Sequence, residues 1–197
     1  MKKHLAALMV LGTVAFQATA QQEMKVDPTA SRLLWTGKKL TGEHTGNVGL
    51  KEGTIIMNGK DLGAADVVID MATITCIDLE GGSADKLVGH LKSPDFFNVE
   101  EHPTVAFKTT RIDAIPDATP GKPNYRVTGD LTIKGITHPN TFDCIVWKDG
   151  EAVRAVANLV FDRAKYDIRF RSGTFFPDLG DKVIDDQVSI TFDVTAK

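Results

Sequence analysis

Four segments in the second half of the chain alternate regularly between apolar and polar residues. In Tyr125–Ile133 every second residue is apolar or glycine, and the residues between them are Arg, Thr or Asp. The same pattern recurs over residues 141–146, 152–161 and 187–194. Successive side chains of a β-strand point to opposite faces, so this period of two predicts strands with one dry and one wet face. Such strands are typical of an antiparallel sheet, and they predict an all-β protein.

The first half of the chain is also predicted to form strands. After a polar lead-in over residues 21–31, four segments are strand-like: 32–40, 47–58, 66–75 and 104–115. Glycine-rich residues 42–46 predict a turn, and Asn58-Gly59 is a hairpin signal. About eight antiparallel strands form either a sandwich or one closed sheet. Short connections between sequential strands favour an up-and-down barrel, which has no edges to protect.

One short helix interrupts the strands. It is predicted to begin at Ser83, whose hydroxyl suits an N-cap, and to end before Pro94, which disfavours the helical conformation at the residue before it. Phe96 and Phe97 follow directly. We interpret this lone helix and its aromatic pair as a plug or gate over whatever the strands enclose.

An eight-stranded barrel either is filled by its own side chains or holds one small ligand. Its predicted dry faces contain several small residues, Gly129, Cys144, Ala155 and Ala157. Small inward residues leave a void, which costs stability unless something fills it. The alternative is that neighbouring phenylalanines lean inwards and fill the space.

A hollow barrel with apolar walls would suit a long hydrocarbon chain, because each buried methylene contributes about 0.8 kcal/mol. For any single phenylalanine, ordinary core packing is the alternative role. The candidate lining or lid residues are Trp35, Phe96, Phe97, Phe107, Val127, Leu131, Ala157, Phe175 and Phe176.

The first twenty residues have the features of a cleaved secretory signal. Lys2 and Lys3 form a basic start, residues 5–16 are apolar, and Ala18-Thr19-Ala20 is a small-residue cleavage site. The apolar run is shorter than the roughly 20 residues that a spanning helix needs. We therefore expect cleavage of residues 1–20, with residues 21–197 forming one domain in the periplasm or outside the cell.

Charge and cysteine content exclude some functions. The net charge of −3 becomes −5 when Lys2 and Lys3 leave with the signal, and nucleic-acid binding needs a basic surface instead. Cys76 and Cys144 are too few to hold a four-ligand zinc site alone. They form either a disulfide, which an oxidising compartment permits, or two separate thiols.

Candidate chemistry is sparse. The four histidines after the signal, His44, His90, His102 and His138, match no metal-ligand spacing, although they could converge in space. No nucleophile motif is present, so we expect no catalytic residues, no metal and no cofactor. Residues 162–173 place four cations around two aromatics. Arginine binds anionic groups well, so Arg169, Arg171 and the helical His90 are candidate head-group contacts at the barrel mouth; a salt-bridged loop is the alternative.

Four stretches of the chain together resemble a known family. They are residues 90–97 (HLKSPDFF), 102–107 (HPTVAF), 129–137 (GDLTIKGIT) and 188–192 (VSITF). In this order they resemble the YceI-like family of secreted bacterial proteins, also called polyisoprenoid-binding proteins. The sequence departs from many members at 31–33 (SRL) and at 38–40 (KKL), where those members have histidine.

The resemblance implies an eight-stranded antiparallel lipocalin-like barrel with one short helix and a long apolar cavity. It also implies a bound isoprenoid or other long-chain lipid. No enzyme activity is firmly attached to the family. We therefore expect a non-enzymatic binding protein that sequesters or transports such a lipid, without nucleic acid or a membrane span. A homodimer, a metal protein or enzyme using the histidines, and a filled-barrel stress protein remain open alternatives.

Overall fold

The structure is a computed structural model that describes residues 20–197, so nearly all of the predicted signal lies outside the described residues. The strands in this part of the chain are β1 (Gln21–Lys25), β2 (Arg32–Lys39), β3 (Gly42–Asn58), β4 (Asp61–Asp70), β5 (Thr104–Ala114), β6 (Tyr125–Ile133), β7 (Ile136–Asp149), β8 (Ala152–Asp162) and β9 (Ile184–Ala196). One α-helix, α1 (Gly81–Lys92), lies between β4 and β5, and short 3₁₀ turns cover Met71–Thr73, Arg163–Tyr166 and Gly180–Lys182.

The strands form a closed antiparallel barrel. Strands β2 to β9 pair in sequence, and β9 pairs with β2 to close the sheet. The short β1 pairs with the second half of β3, on the same edge that β2 uses in the first half. The predicted eight-stranded barrel with one helix is confirmed. Strand β1 lies within the polar lead-in, where no strand was predicted.

The predicted turn at residues 42–46 is wrong, because these residues begin the 17-residue strand β3. Close packing explains the glycine at position 46. A Cβ at Gly46 would lie 1.8 Å from the carbonyl oxygen of Thr75. The segment after β4 crosses this part of β3, where the Ile77 amide donates to the Thr45 carbonyl over 3.0 Å. Glycine here permits close approach of two backbones rather than a reversal of the chain.

Two predicted boundaries also shift. The third predicted strand ends at Asp70, because the Asp70 carboxylate accepts a hydrogen bond from the Ala72 amide and starts a 3₁₀ turn. The helix begins at Gly81, before the predicted Ser83, and no side chain caps it. Its predicted end is confirmed, since Ser93 before Pro94 is extended and its hydroxyl donates to the His90 carbonyl over 2.7 Å.

The two ends of the barrel differ. At one end Lys25 and Lys197 exchange two backbone hydrogen bonds of 2.8 and 2.9 Å, and the neighbouring Val153 and Ala196 are fully buried. At the other end α1 and Phe96 pack over the opening without sealing it. The barrel therefore has a closed end and an open end.

Candidate functional site

An apolar cavity of about 230 Å³ lies inside the barrel. All eight strands of the barrel and α1 contribute to its wall. Strand β9 lines it from Ile184 at the open end to Val194 near the closed end, so the cavity is roughly 25 Å long for strands tilted by about 40°. These dimensions describe a narrow tube that suits a single extended chain.

Most of the nominated lining residues meet in this cavity. Those that line it are Trp35, Phe96, Phe97, Phe107, Val127 and Leu131. Ala157 is buried on the same face of β8 but does not reach the cavity, and Ala155 lines it instead. Phe175 and Phe176 lie outside the cavity wall on the surface, where Phe175 packs beneath the Arg169 guanidinium. A ligand-binding role for any of these residues stays a prediction.

The small inward residues are of two kinds. At Gly129 the Phe107 ring takes the space, since a Cβ there would lie 2.4 Å from the ring. Ala157 pairs with Phe192, whose ring meets that of Phe142 at 5.5 Å between centroids. Phenylalanines thus fill the space at both positions, as the filled-barrel alternative proposed. Cys144 and Ala155 line the cavity, and Ala155 does so near the closed end.

The open end has a polar rim. Lys38, Lys39 and His44 reach the cavity from β2 and β3, and Asp185 reaches it from β9. A β-bulge lies here, because Gly37 pairs with Val188 but Lys39 pairs with Ile184. We call this rim the mouth of the cavity. The sequence did not predict which residues form the mouth, since a bulge breaks the alternation that assigns side chains to faces.

His44 is held in place at the mouth by Asp78. Its Nδ1 lies 2.7 Å from Asp78 Oδ2, while Asp78 Oδ1 accepts hydrogen bonds from the Thr45 amide at 2.8 Å and the Cys76 thiol at 3.2 Å. The Thr45 hydrogen bond is the largest of the influences that lower the pKa of Asp78 to about 2. Asp78 is therefore ionised at neutral pH and orients the His44 ring.

Arg163 is a buried cation beside the cavity, with 2% of its surface exposed. Its guanidinium donates to the backbone carbonyls of residues 168, 170, 184 and 185 over 2.9 to 3.0 Å, and Nη2 lies 3.2 Å from Asp186 Oδ1. Burial lowers the pKa of Arg163, which stays charged. These four hydrogen bonds fix the segment after β8 to the start of β9.

The predicted head-group residues lie together, but not at the mouth. Arg169 and Arg171 line a separate surface cleft with Phe170. The His90 ring packs edge-on against Phe96 and Phe170, at 4.8 and 4.4 Å between centroids. These rings lie between the cleft and the cavity, because Phe96 lines the cavity and Phe170 lines the cleft. A head-group role for His90, Arg169 and Arg171 stays a prediction.

Comparison with known proteins agrees with this geometry. Residues 24–196 match the model of the YceI-like domain. The chain belongs to the YceI-like family. Among curated YceI-like relatives, a UPF0312 protein of Pectobacterium atrosepticum and protein YceI of Escherichia coli are each 30% identical over 100 residues, which cover 51% of this chain and 47% of each relative. The chain spans about half the length of the curated relatives it matches.

Two solved structures share the YceI-like barrel. BcnA of Burkholderia cenocepacia has a TM-score of 0.68 at 22% identity, with 87% of this chain and 99% of BcnA covered. A polyisoprenoid-binding domain from Saccharophagus degradans has a TM-score of 0.63 at 17% identity, with 88% and 97% covered. At these identities the comparison establishes the fold.

His138 and the two cysteines of this YceI-like chain are not arranged for catalysis or metal binding in the part of the chain that the structure describes. His138 Nε2 lies 3.0 Å from the Lys165 carbonyl oxygen. Burial raises the pKa of the Cys144 thiol to about 12, and Cys76 and Cys144 are unpaired. Over residues 20–197 no group of three or more His, Cys, Asp or Glu side chains is placed to hold a metal ion. In the same range, no helix has the length and apolarity needed to cross a membrane.

Proposed function

We propose that this protein binds a long-chain isoprenoid or fatty-acid-like lipid in the barrel cavity and sequesters or carries it in the periplasm or outside the cell. The observation that carries the proposal is the apolar tube itself, whose charged lining residues are confined to its open end. The shared fold with a solved polyisoprenoid-binding domain supports the same class of ligand. The proposed role is binding without catalysis.

The energetics favour a long chain over a compact ligand. Ten buried methylenes contribute about 8 kcal/mol, part of which offsets the freedom that the chain loses on binding. The polar end of the lipid would lie at the mouth, beside Lys39 and His44. A head group would reach Arg169 and Arg171 only if the layer formed by Phe96, Phe170 and His90 opened.

Quenching of tryptophan fluorescence tests whether the chain enters the tube. Trp35 lines the cavity and Trp147 lies on the outer surface, so a Trp147→Phe variant leaves Trp35 as the reporter. A fatty acid brominated near the middle of its chain should quench Trp35 saturably, at one equivalent per protein. The matched Trp35→Phe variant, which retains Trp147, should show little quenching. Equal quenching in the two variants, or none in either, would contradict the proposal.

The proposed location rests on the predicted signal. Lys2, Lys3 and the apolar run over 5–16 precede a small-residue site at 18–20. Expression of the full chain in a Gram-negative host should yield a periplasmic protein whose first residue is Gln21. Recovery of the protein in the cytoplasm with Met1 retained would show that this segment is not a signal.

A further inference from the structure

Two large apolar side chains are exposed beside the mouth. Leu40, at the turn between β2 and β3, has 80% of its surface exposed, the largest fraction among the exposed large hydrophobic residues of the described chain. Ile77, in the segment between β4 and α1, is 53% exposed. A single exposed apolar residue needs no explanation, so the relation of these two to the cavity is what matters.

Both residues are next to the residues that form the mouth. Leu40 directly follows Lys39, which lines the cavity. The Ile77 amide donates to the carbonyl of Thr45, the neighbour of His44, and Ile77 precedes the Asp78 that holds His44. Leu40 and Ile77 therefore flank the opening through which a chain enters the tube.

Much of the charge around the mouth is compensated locally. Lys38 pairs with Glu43 at 3.6 Å, and Arg163 pairs with Asp186 at 3.2 Å. Lys39 and Asp185, which also line the mouth, carry opposite signs. This rim presents no strong field of one sign, so what approaches it is held by apolar contact more than by charge.

We propose that this protein docks on the surface of a lipid bilayer through Leu40 and Ile77, with the mouth facing the membrane. A bilayer is the reservoir of long-chain lipids, and a chain that crosses water loses free energy for each exposed methylene. When the mouth docks on the bilayer, the lipid chain passes into the cavity without crossing water. Two apolar side chains give weak, reversible insertion, which suits a protein that must leave with its cargo. The lipid-exchange role rests on the proposed function, whereas docking can be measured without cargo.

Docking is tested with a reporter at the hairpin tip. Leu40→Trp in a background that lacks both native tryptophans (Trp35→Phe, Trp147→Phe) is mixed with vesicles of phosphatidylcholine containing brominated acyl chains, and its control has the same background. The emission of the introduced tryptophan should shift to the blue and be quenched, and this should persist in high salt because insertion is apolar. The control is Val160→Trp, at an exposed valine on the outer face of β8. No shift at position 40, or the same shift at position 160, would overturn the proposal.

Lipid exchange is tested by transfer kinetics. The rate at which a pyrene-labelled fatty acid moves from protein to vesicles should rise with vesicle concentration. Leu40→Asp should lower that rate by about tenfold or more and leave equilibrium binding unchanged, while Val160→Asp should do neither. A rate independent of vesicles would overturn docking. Failure to load the probe would count against the proposed function alone, since the fluorescence measurement on Leu40→Trp stands without it. A native dimer that Leu40→Asp converts to monomer would instead identify a self-association surface.

Discussion

Replacing Arg163 with methionine is expected to lower the free energy of unfolding by about 3–5 kcal/mol. The guanidinium is buried and satisfies four backbone carbonyls, so its loss leaves these acceptors without partners. Asp186 would also lose its cation, although Ser172 and Thr174 still donate to its other oxygen over 2.8 and 2.7 Å. Urea denaturation of the two proteins measures the difference.

Arg169 provides the matched control for this prediction. It lies six residues further along and forms an ion pair with Asp167, but its side chain is 61% exposed. Arg169→Met should therefore change stability by less than about 1 kcal/mol. Arg163→Lys should behave more like methionine than like the wild type, because an ammonium group has three donors and cannot satisfy four carbonyl acceptors. Equal stability of Arg163→Met and Arg169→Met would show that the buried network does not hold this end of the barrel.

Replacing Ala155 with tryptophan is expected to shorten the chain that the cavity accepts. Ala155 lines the tube near its closed end, between its strand partners Val146 on β7 and Val194 on β9. An indole there would displace the last three or four methylenes of a long chain, which corresponds to about 3 kcal/mol and roughly a hundredfold loss of affinity. A chain too short to reach this depth should bind as before. Titration of fatty acids of increasing length into both proteins measures the change in preference.

Val156→Trp controls for the added bulk. Val156 is the next residue on β8 and lies on the outer face, so its replacement leaves the tube unchanged. Urea denaturation of both variants accounts for the overpacking cost of about 1–3 kcal/mol that an inward tryptophan carries. Unchanged affinity for the longest chains would mean that the chain does not extend to the closed end.

Regular alternation predicted the second half of the barrel well, because each strand there has one dry and one wet face. Strand β6 occupies the predicted Tyr125–Ile133. Strand β3 was harder, since its glycines resemble a turn, whereas Gly46 is explained by its packing against the distant Thr75 carbonyl and the Trp35 indole. The 3₁₀ turn after Asp70 likewise depends on one side-chain hydrogen bond. Local pattern fails where a contact distant in the chain determines the residue type.

The residues of the candidate site were also predicted well where local pattern decides and poorly where contacts distant in the chain decide. Strand alternation placed Val127 and Leu131 on the cavity wall. It could not distinguish Ala155 from Ala157, because the Phe142 and Phe192 rings meet only in three dimensions. Arg163 had a usable signal: it continues the inward series through Ala157, Leu159 and Phe161. We nominated Arg169 and Arg171 instead because arginine binds anionic groups well. A buried arginine is rare unless it is paired.

Mass spectrometry of an organic extract tests the central claim most directly. The protein would be purified without detergent from a bacterial periplasm, and its extract compared with that of the Ala155→Trp variant. We expect a long-chain lipid at close to one equivalent per protein, and a shorter or depleted lipid in the variant. Extracts without lipid, both directly after purification and after incubation with isoprenoids and fatty acids, would contradict lipid binding in the cavity.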